Sequence, residues 1–382
     1  MKLTIEKSPF IKSWSLAERS VGTSSALNIL SGILVRASDS AVELFATDLK
    51  TSVVCQARGV RVEEPGEAVF PVKSVGDLFR KAPEGQFTLA VEDGKATLLA
   101  GRSRYRFSTY GVEEFPRLPS SAQATPFGSA TVGQLSESLA EGTLAASTGE
   151  EYPQFLSCAF FQPEKGFLRV VSTDSRRLAY SRFAVGDAAE GPGLLLPMKG
   201  VKELDRILSS LDPETPVKIR QDEAQAYFTA PEMEFAVRRV EAKFPQYERI
   251  LPSSRTTWFE TGRTSLVAAL ERIDVVVRDF NRMVVLQLSP GGSCTLRGRA
   301  PDFGEAVEEV EGTIEGEPLR IAFNVRFFLD GLKALKDQGV RLDFNGPEGH
   351  LAIRRPGSDS YLCLVAPIAL TEEDGGSEGD AL

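Results

Sequence analysis

Three stretches of the chain pass from a short apolar run into a helical pattern in the same way. They are FPVKSVGDLFRKAPEG from Phe70, LPMKGVKELDRILSSLDPE from Leu196 and FNVRFFLDGLKALKDQG from Phe323. Apolar residues recur in them as Val75, Leu78, Phe79 and Ala82, as Val201, Leu204, Leu208 and Leu211, and as Val325, Phe328, Leu332 and Leu335. This spacing predicts amphipathic helices with one buried stripe, entered by turns at Pro71, Pro197 and Asn324. An earlier helix is predicted in each repeat. The first has Ser8 and Pro9 as N-cap and first helical residue and Phe10, Trp14, Ala17 and Val21 as its stripe; the others run over 131–146 and 263–276. Between the helices, runs such as AVELFATDL, FTLAVEDGKATLLAG and AYFTAPEMEFAVRRV alternate and break at Gly, Pro and Asp-Gly. They predict antiparallel strands and hairpins.

The polar positions keep the same beat. Lys73, Lys199 and Arg326 are 126 and 127 residues apart, and so are Arg80, Arg206 and Lys333. A seven-residue separation puts the two bases of each helix on one face, two turns apart. Ala46-Thr47-Asp48-Leu49 returns as Ser172-Thr173-Asp174-Ser175, and Phe115-Pro116 returns as Phe244-Pro245 with an echo at Ala366-Pro367. The chain therefore reads as three repeats of the α+β class, each two helices backed by an antiparallel sheet. The expected domains are 1–121, 126–252 and 256–370, separated by the polar junctions SSAQATP and PSSRTT; 371–382, with five acids and no base, is expected to be a disordered tail.

Composition narrows the chemistry. The 382 residues carry 44 Lys and Arg against 53 Asp and Glu, a formal charge of −9, and a single histidine, His350. Imidazole-based triads and HExxH metal sites are out of reach, and there is no Walker loop, GxGxxG after a strand or GxSxG elbow. Cys55, Cys158, Cys294 and Cys363 form no CxxC pair and read as buried free thiols. No secretory signal and no run long enough to cross a bilayer is present, so the cytoplasm is the expected address. No metal, cofactor or catalytic residue is expected. A carboxylate enzyme working on DNA through a metal, or a scaffold binding only proteins, stands as the alternative, although Asp48 and Asp174 read better as turn residues.

In their order and spacing, ATDLKTSV from Ala46, GRSRYRFST from Gly101, STDSRRLA from Ser172, FPQYERILP from Phe244, FNVRFFLDGLKAL from Phe323 and YLCLVAPIAL from Tyr361 resemble the bacterial sliding clamps, the beta subunits of DNA polymerase III. The resemblance implies three DNA-clamp domains per chain and two chains closed head to tail into a ring. Duplex DNA would thread the hole without sequence-specific contacts. The subunit would be non-catalytic, tethering the replicative polymerase, the clamp loader and other proteins that carry a short clamp-binding peptide.

It also implies three sets of residues. Lys12, Lys73, Arg80, Lys199, Lys202, Arg206, Arg326 and Lys333 would face DNA. Phe155, Thr173, Ser175, Arg177, Leu178, Pro245, Arg249, Ile250, Leu364, Ala366 and Pro367 would form a peptide pocket, with Leu178, Ile250 and Leu364 as an apolar slot and Arg177 and Arg249 as polar rims. Tyr105 and Phe107 of one subunit would face Val275 and Val276 of the other, with Arg102 or Arg104 near Glu305 and Glu308. The chain departs from the pattern in four places. Ala366 stands where the family carries methionine, and His350 is expected near the pocket rim. The 131–146 helix holds Glu137 and Glu141 without a base, which is expected to weaken the inner lining, and Ser24 stands where some relatives place a DNA-touching arginine.

Overall fold

The structure, a computed structural model, describes residues 1–22, 27–83, 85–149, 152–186 and 191–370. Ser24 and the acidic tail lie outside the described residues. Six α-helices occur among the described residues: α1 (Lys7–Ala17), α2 (Val72–Lys81), α3 (Val132–Gly142), α4 (Met198–Leu208), α5 (Arg263–Val277) and α6 (Val325–Ala334). The strands Lys2–Glu6, Thr125–Thr131 and Thr257–Gly262 lead directly into α1, α3 and α5, and Gly66–Pro71, Leu194–Pro197 and Leu319–Asn324 into α2, α4 and α6. Residue contacts group the chain into two compact units, one of Met1–Ser136 and Val185–Val240, the other of Glu137–Ala184 and the chain from Glu241 onward.

In the first unit a five-stranded sheet runs Val60–Glu64, Lys2–Glu6, Gln86–Glu92, Lys95–Ala100, Ser103–Ser108. An eight-stranded sheet runs Thr125–Thr131, Pro216–Gln221, Gln225–Ala230, Met233–Arg238, Thr51–Gln56, Val42–Thr47, Gly32–Ala37, Gly66–Pro71. Its middle is a joint between the first and second repeats, where Met233 lies opposite Cys55 and Phe235 opposite Val53. Trp14 of α1 meets Phe79 of α2 edge-on at 4.9 Å, and Phe79 stacks on Phe87 at 5.5 Å. Gly200 lets α4 approach the sheet, because a Cβ there would lie 2.4 Å from Val237.

In the second unit one sheet contains, in order, Cys158–Glu164, Phe167–Thr173, Arg177–Ala184, Tyr361–Val365, Leu351–Arg354, Gly339–Phe344, Thr257–Gly262 and Thr313–Gly316. Here the second repeat joins the third, with Leu178 opposite Leu364. A five-stranded sheet runs Gly304–Val310, Cys294–Ala300, Met283–Leu288, Leu319–Asn324, Pro367–Ile368. The core between sheets and helices includes Leu266, Leu270, Ile273, Phe323, Phe328, Leu332 and Ile353.

The repeated turns agree in their hydrogen bonds. Asp48 Oδ1 accepts from the backbone of Lys50 and Thr51, and Asp174 Oδ1 from that of Arg176 and Arg177. Thr47 and Thr173 donate to the carbonyls of Thr51 and Arg177, and Leu49 and Ser175 both take positive φ, 69° and 70°. Both aspartates are turn residues, as their spacing implied.

Several local expectations change. The first helix begins at Lys7, with extended Glu6 as an N-cap that makes no side-chain bond, so Ser8 lies inside it. Pro9 remains in the first turn, where its missing N–H is not needed. Val21 lies beyond the helix and is half-buried, as are Leu78 and Leu211, while the buried Ile207 was absent from the predicted stripe. The 131–146 helix stops at Gly142, where a Cβ would sit 2.3 Å from the Val170 carbonyl oxygen. All four cysteines are buried free thiols. Burial pushes Cys55, Cys294 and Cys363 up to about 12 and Cys158 to about 11.

Candidate nucleic-acid, peptide and subunit interfaces

The bases predicted to face DNA all stand exposed on helices, Lys12 on α1, Lys73 and Arg80 on α2, Lys199, Lys202 and Arg206 on α4, and Arg326 and Lys333 on α6. Lys73, Lys199 and Arg326 are each the second residue of their helix, and none of these first turns holds an acid. A cation beside a helix N-terminus is disfavoured by the helix dipole, yet the two together attract an anion such as phosphate. Half of the set is partly neutralised. Arg80 grips Glu18 at 2.9 and 3.0 Å, Lys199 meets Asp48 at 3.2 Å, Lys333 meets Glu271 at 2.7 Å, and Arg206 pairs with Glu203. Lys12, Lys73, Lys202 and Arg326 have no carboxylate partner among the described residues.

The two acids of α3 do not act as free charges. Arg355 donates to Glu137 at 3.1 Å, Glu141 at 2.8 Å, Asp337 at 2.8 Å and Ser360 at 2.6 Å. Glu141 is buried and also accepts from the Ser181 hydroxyl at 2.6 Å. Burial raises its pKa against the opposing pull of Ser181 and Arg355. α3 itself carries no base, and its buried Glu141 is a structural anchor for Arg355. The sequence holds no local signal for this contact, which spans 214 residues.

The peptide-pocket set is only partly assembled as expected. Leu178 and Leu364 are 2% and 1% exposed, in one buried cluster with Val171, Tyr180, Tyr247, Ala352 and Leu362. Directly opposed on neighbouring strands, they form a buried apolar floor and are not exposed walls. Ile250 is 51% exposed, while Phe155 is half-buried and meets Phe244 edge-on at 5.9 Å. Arg177 is not a rim charge either: it is mostly buried, bridging Asp174 at 3.0 Å and Asp330 at 2.6 Å over the Phe327 ring. Arg249, Pro245 and His350 are exposed, Ala366 and Pro367 half-buried, and Thr173 and Ser175 belong to the turn described above. Tyr247, Phe160 and Phe244 pack beside this set without belonging to the predicted one; the aromatic run FPQY holds Phe244 and Tyr247, while Phe160 comes from the strand Cys158–Glu164.

The subunit-interface set falls on two sheet edges. Ser103–Ser108 ends the first unit's five-stranded sheet, and Gly304–Val310 ends that of the second unit. Tyr105 and Phe107 lie opposite the buried Leu98 and Ala96, so they share the helix side of their sheet. Arg102, Arg104 and Arg106 are exposed, as are Glu305, Val307 and Glu309. Val275 is exposed on α5 and Val276 half-buried. Glu308 is held within the chain by Arg272 at 2.7 and 2.8 Å. Arg106 is a third arginine on the edge that motif reading passed over.

Among the described residues no group of three or more His, Cys, Asp or Glu is arranged to hold a metal ion, and no helix is long and apolar enough to cross a membrane.

Comparison with known proteins covers nearly the whole chain. Residues 1–119, 134–246 and 248–369 match, in that order, the models for the N-terminal, central and C-terminal domains of the DNA polymerase III beta subunit. The beta sliding clamp of Escherichia coli (strain K12) is 29% identical over 372 residues, covering 97% of this chain and 100% of that protein. The DNA polymerase sliding clamp of Bacillus subtilis superposes with a TM-score of 0.91 at 25% identity, and the DNA polymerase III subunit beta of Pseudomonas aeruginosa with 0.89 at 27%; each comparison covers 97% of this chain and 100% of the other.

Proposed function

The chain belongs to the DNA polymerase III beta-subunit family, the sliding clamps, and from that premise we propose that it closes as a head-to-tail homodimeric ring around duplex DNA and tethers the replicative polymerase, the clamp loader and other peptide-bearing partners. It is a non-catalytic processivity subunit. The domains are 1–121, 126–252 and 256–370, and the protein works in the cytoplasm.

The repeat pattern at the strand joints carries this reading. Within the chain, Met233–Arg238 pairs with Thr51–Gln56, and Tyr361–Val365 pairs with Arg177–Ala184. The corresponding strands of the outer repeats, Ser103–Ser108 and Gly304–Val310, are terminal in their sheets. Unpaired edges of this kind are templates for another strand, and a second copy supplies one for each.

The register follows from equivalent positions. The N-caps Pro71 and Asn324 lie opposite Gly32 and Met283, which makes Val53 the counterpart of Ala306. The hairpins closing at Ala230 with Met233 and at Ala100 with Ser103 make Phe235 the counterpart of Tyr105. Since Phe235 lies opposite Val53, Tyr105 lies opposite Ala306 of the other subunit. Arg106 then faces Glu305, the apolar residues turn toward Val275 and Val276, and the interface has an apolar centre with a charged rim.

DNA contacts come chiefly from the unpaired helical bases Lys12, Lys73, Lys202 and Arg326 and are directed to phosphates, because a sliding ring tolerates no deep sequence-specific minima. The net charge of −9 is compatible with this when the bases are gathered on the inner helices. Partner peptides dock on the surface around Ile250, Phe155, Phe244 and Ala366, above the Leu178–Leu364 floor.

The test is topological. Protein loaded on nicked circular duplex is expected to stay bound when salt strips it from linear duplex, since screening acts on charges and not on linkage. Equal loss from both substrates, or a stable monomer at micromolar concentration, defeats the reading.

A further inference from the structure

The two joints inside the chain carry the same cross-strand row, and only one row is sealed. In the second unit Phe160, Val171, Tyr180 and Leu362 stand opposite one another on four successive strands. Phe244 stacks on Phe160 at 4.9 Å, and Tyr247, three residues later, is 2% exposed against the rest of the row. In the first unit Leu34, Phe45, Val54 and Glu234 form the equivalent row, again strand by strand. Phe115, the repeat counterpart of Phe244, packs on the cluster containing Leu34. The residue three positions later is Leu118, half-buried where tyrosine would seal the row, and a cleft of about 540 Å³ lies there.

We infer that this cleft, at the joint of the first and second repeats, is a second docking site for a short partner peptide, one that places a large apolar side chain beside a carboxylate. The apolar part of the ligand is set by Leu34, Phe45, Val54 and Phe115, which offer side-chain surface across a groove. Its charge is set by the rim. Arg117 lines the cleft, is exposed and has no carboxylate partner among the described residues. Arg36 lies over Phe45 at 4.9 Å and shares its charge with Glu67. The acid in the cleft, Glu234, is already engaged by the backbone N–H and hydroxyl of Ser121. A carboxylate on the ligand therefore meets the free guanidinium of Arg117, as acidic peptides meet arginine elsewhere. The inference rests on the proposed reading that the joint between the second and third repeats takes a peptide.

The experiment titrates the full-length dimer with a fluorescein-labelled peptide, Ser-Gln-Asp-Leu-Phe, and with its Asn-for-Asp counterpart, reading polarisation and stoichiometry. About two peptides per chain are expected for the unaltered protein. Leu118→Tyr, which seals the row as Tyr247 does, should leave one, and Ile250→Arg should leave the other. Arg117→Glu should weaken only the site lost in Leu118→Tyr, by roughly tenfold, and the Asn peptide should show the same loss at that site. Circular dichroism of each variant checks that it folds. One site that vanishes with Ile250→Arg and ignores Leu118→Tyr overturns the inference while sparing the other pocket. One site that vanishes with Leu118→Tyr alone supports it and removes the other pocket. No binding at about millimolar peptide rejects both. Binding that appears only after removal of residues 371–382 would make the chain's own acidic tail the occupant, and a mass above the dimer abolished by Leu118→Tyr would make it a second copy; either overturns a partner peptide.

Discussion

Arg355 sets one guanidinium nitrogen 2.8 Å from the Glu141 carboxylate, in a site where Glu141 is all but closed to solvent. Truncating one partner of such a pair strands the other without compensation. Arg355→Ala is expected to cost about 3–5 kcal/mol in denaturant unfolding, and Glu141→Gln in the same background should restore part of it.

The same carboxylate gives stability a pH dependence. Burial holds its folded pKa above the ordinary glutamate value, so the folded protein binds this proton more tightly than the unfolded chain. Its favourable contribution is present below the ordinary glutamate range and is lost as pH rises through the folded pKa. Thermal unfolding followed from acid to neutral pH should show that component flattened in Glu141→Gln.

Asp48 has the opposite sign. Burial raises its pKa, but the hydrogen bonds from Thr51, Lys199 and Lys50 outweigh this and leave it lowered. It contributes stability above the ordinary aspartate value that is lost as pH falls through the folded pKa. Asp48→Ala should cost about 1–2 kcal/mol through the unmade turn bonds. Leu49→Gly, at a φ of 69°, should return about 0.5–1 kcal/mol by relieving the left-handed backbone. Chemical denaturation of the two variants measures both.

The proposed register is checked by cross-linking. Directly opposed residues of an antiparallel pair have Cα atoms about 4.5–5.5 Å apart, within disulfide reach. Tyr105→Cys with Ala306→Cys should oxidise to a covalently closed dimer on non-reducing gels, while Arg104→Cys with Ala306→Cys, on opposite faces, should not. The native thiols will not compete, since burial keeps them protonated.

For DNA, Lys73→Ala, Lys202→Ala and Arg326→Ala should each reduce the salt dependence of binding to linear duplex, by about 0.9 in the log–log slope for each phosphate no longer neutralised. Lys199→Ala and Lys333→Ala should reduce it less, because Asp48 and Glu271 already share those charges. Equal effects across the set would mean that the ion pairs open on DNA.

Much of this arrangement is local and was readable. The equal helix positions of Lys73, Lys199 and Arg326, and the matching turns at Asp48 and Asp174, follow from short-range periodicity and Asx chemistry. What was not readable depends on distant partners. Nothing near Phe160 or Val171 says that Phe244 and Tyr247, more than 70 residues later, pack on their cluster, and nothing near Arg177 announces Asp330. The acids that quench Arg80 and Lys333 come from the residue capping the end of α1, Glu18, and from Glu271 of α5. The start of α1 was misplaced for a different reason: Ser8 and Pro9 make a plausible cap, but Glu6 ends its strand in extended geometry and the helix follows without a side-chain cap.

The two bare sheet edges also bear on assembly errors. They are unlike, one rich in arginine and one in glutamate, so each copy is a two-ended monomer in the polymer sense. Head-to-tail addition of that kind stops only if the turn accumulated along the chain closes the circle; otherwise it continues as a filament. A substitution that altered the turn at either internal joint, without touching the edges, would be expected to convert a closed pair of subunits into open chains whose length grows with concentration.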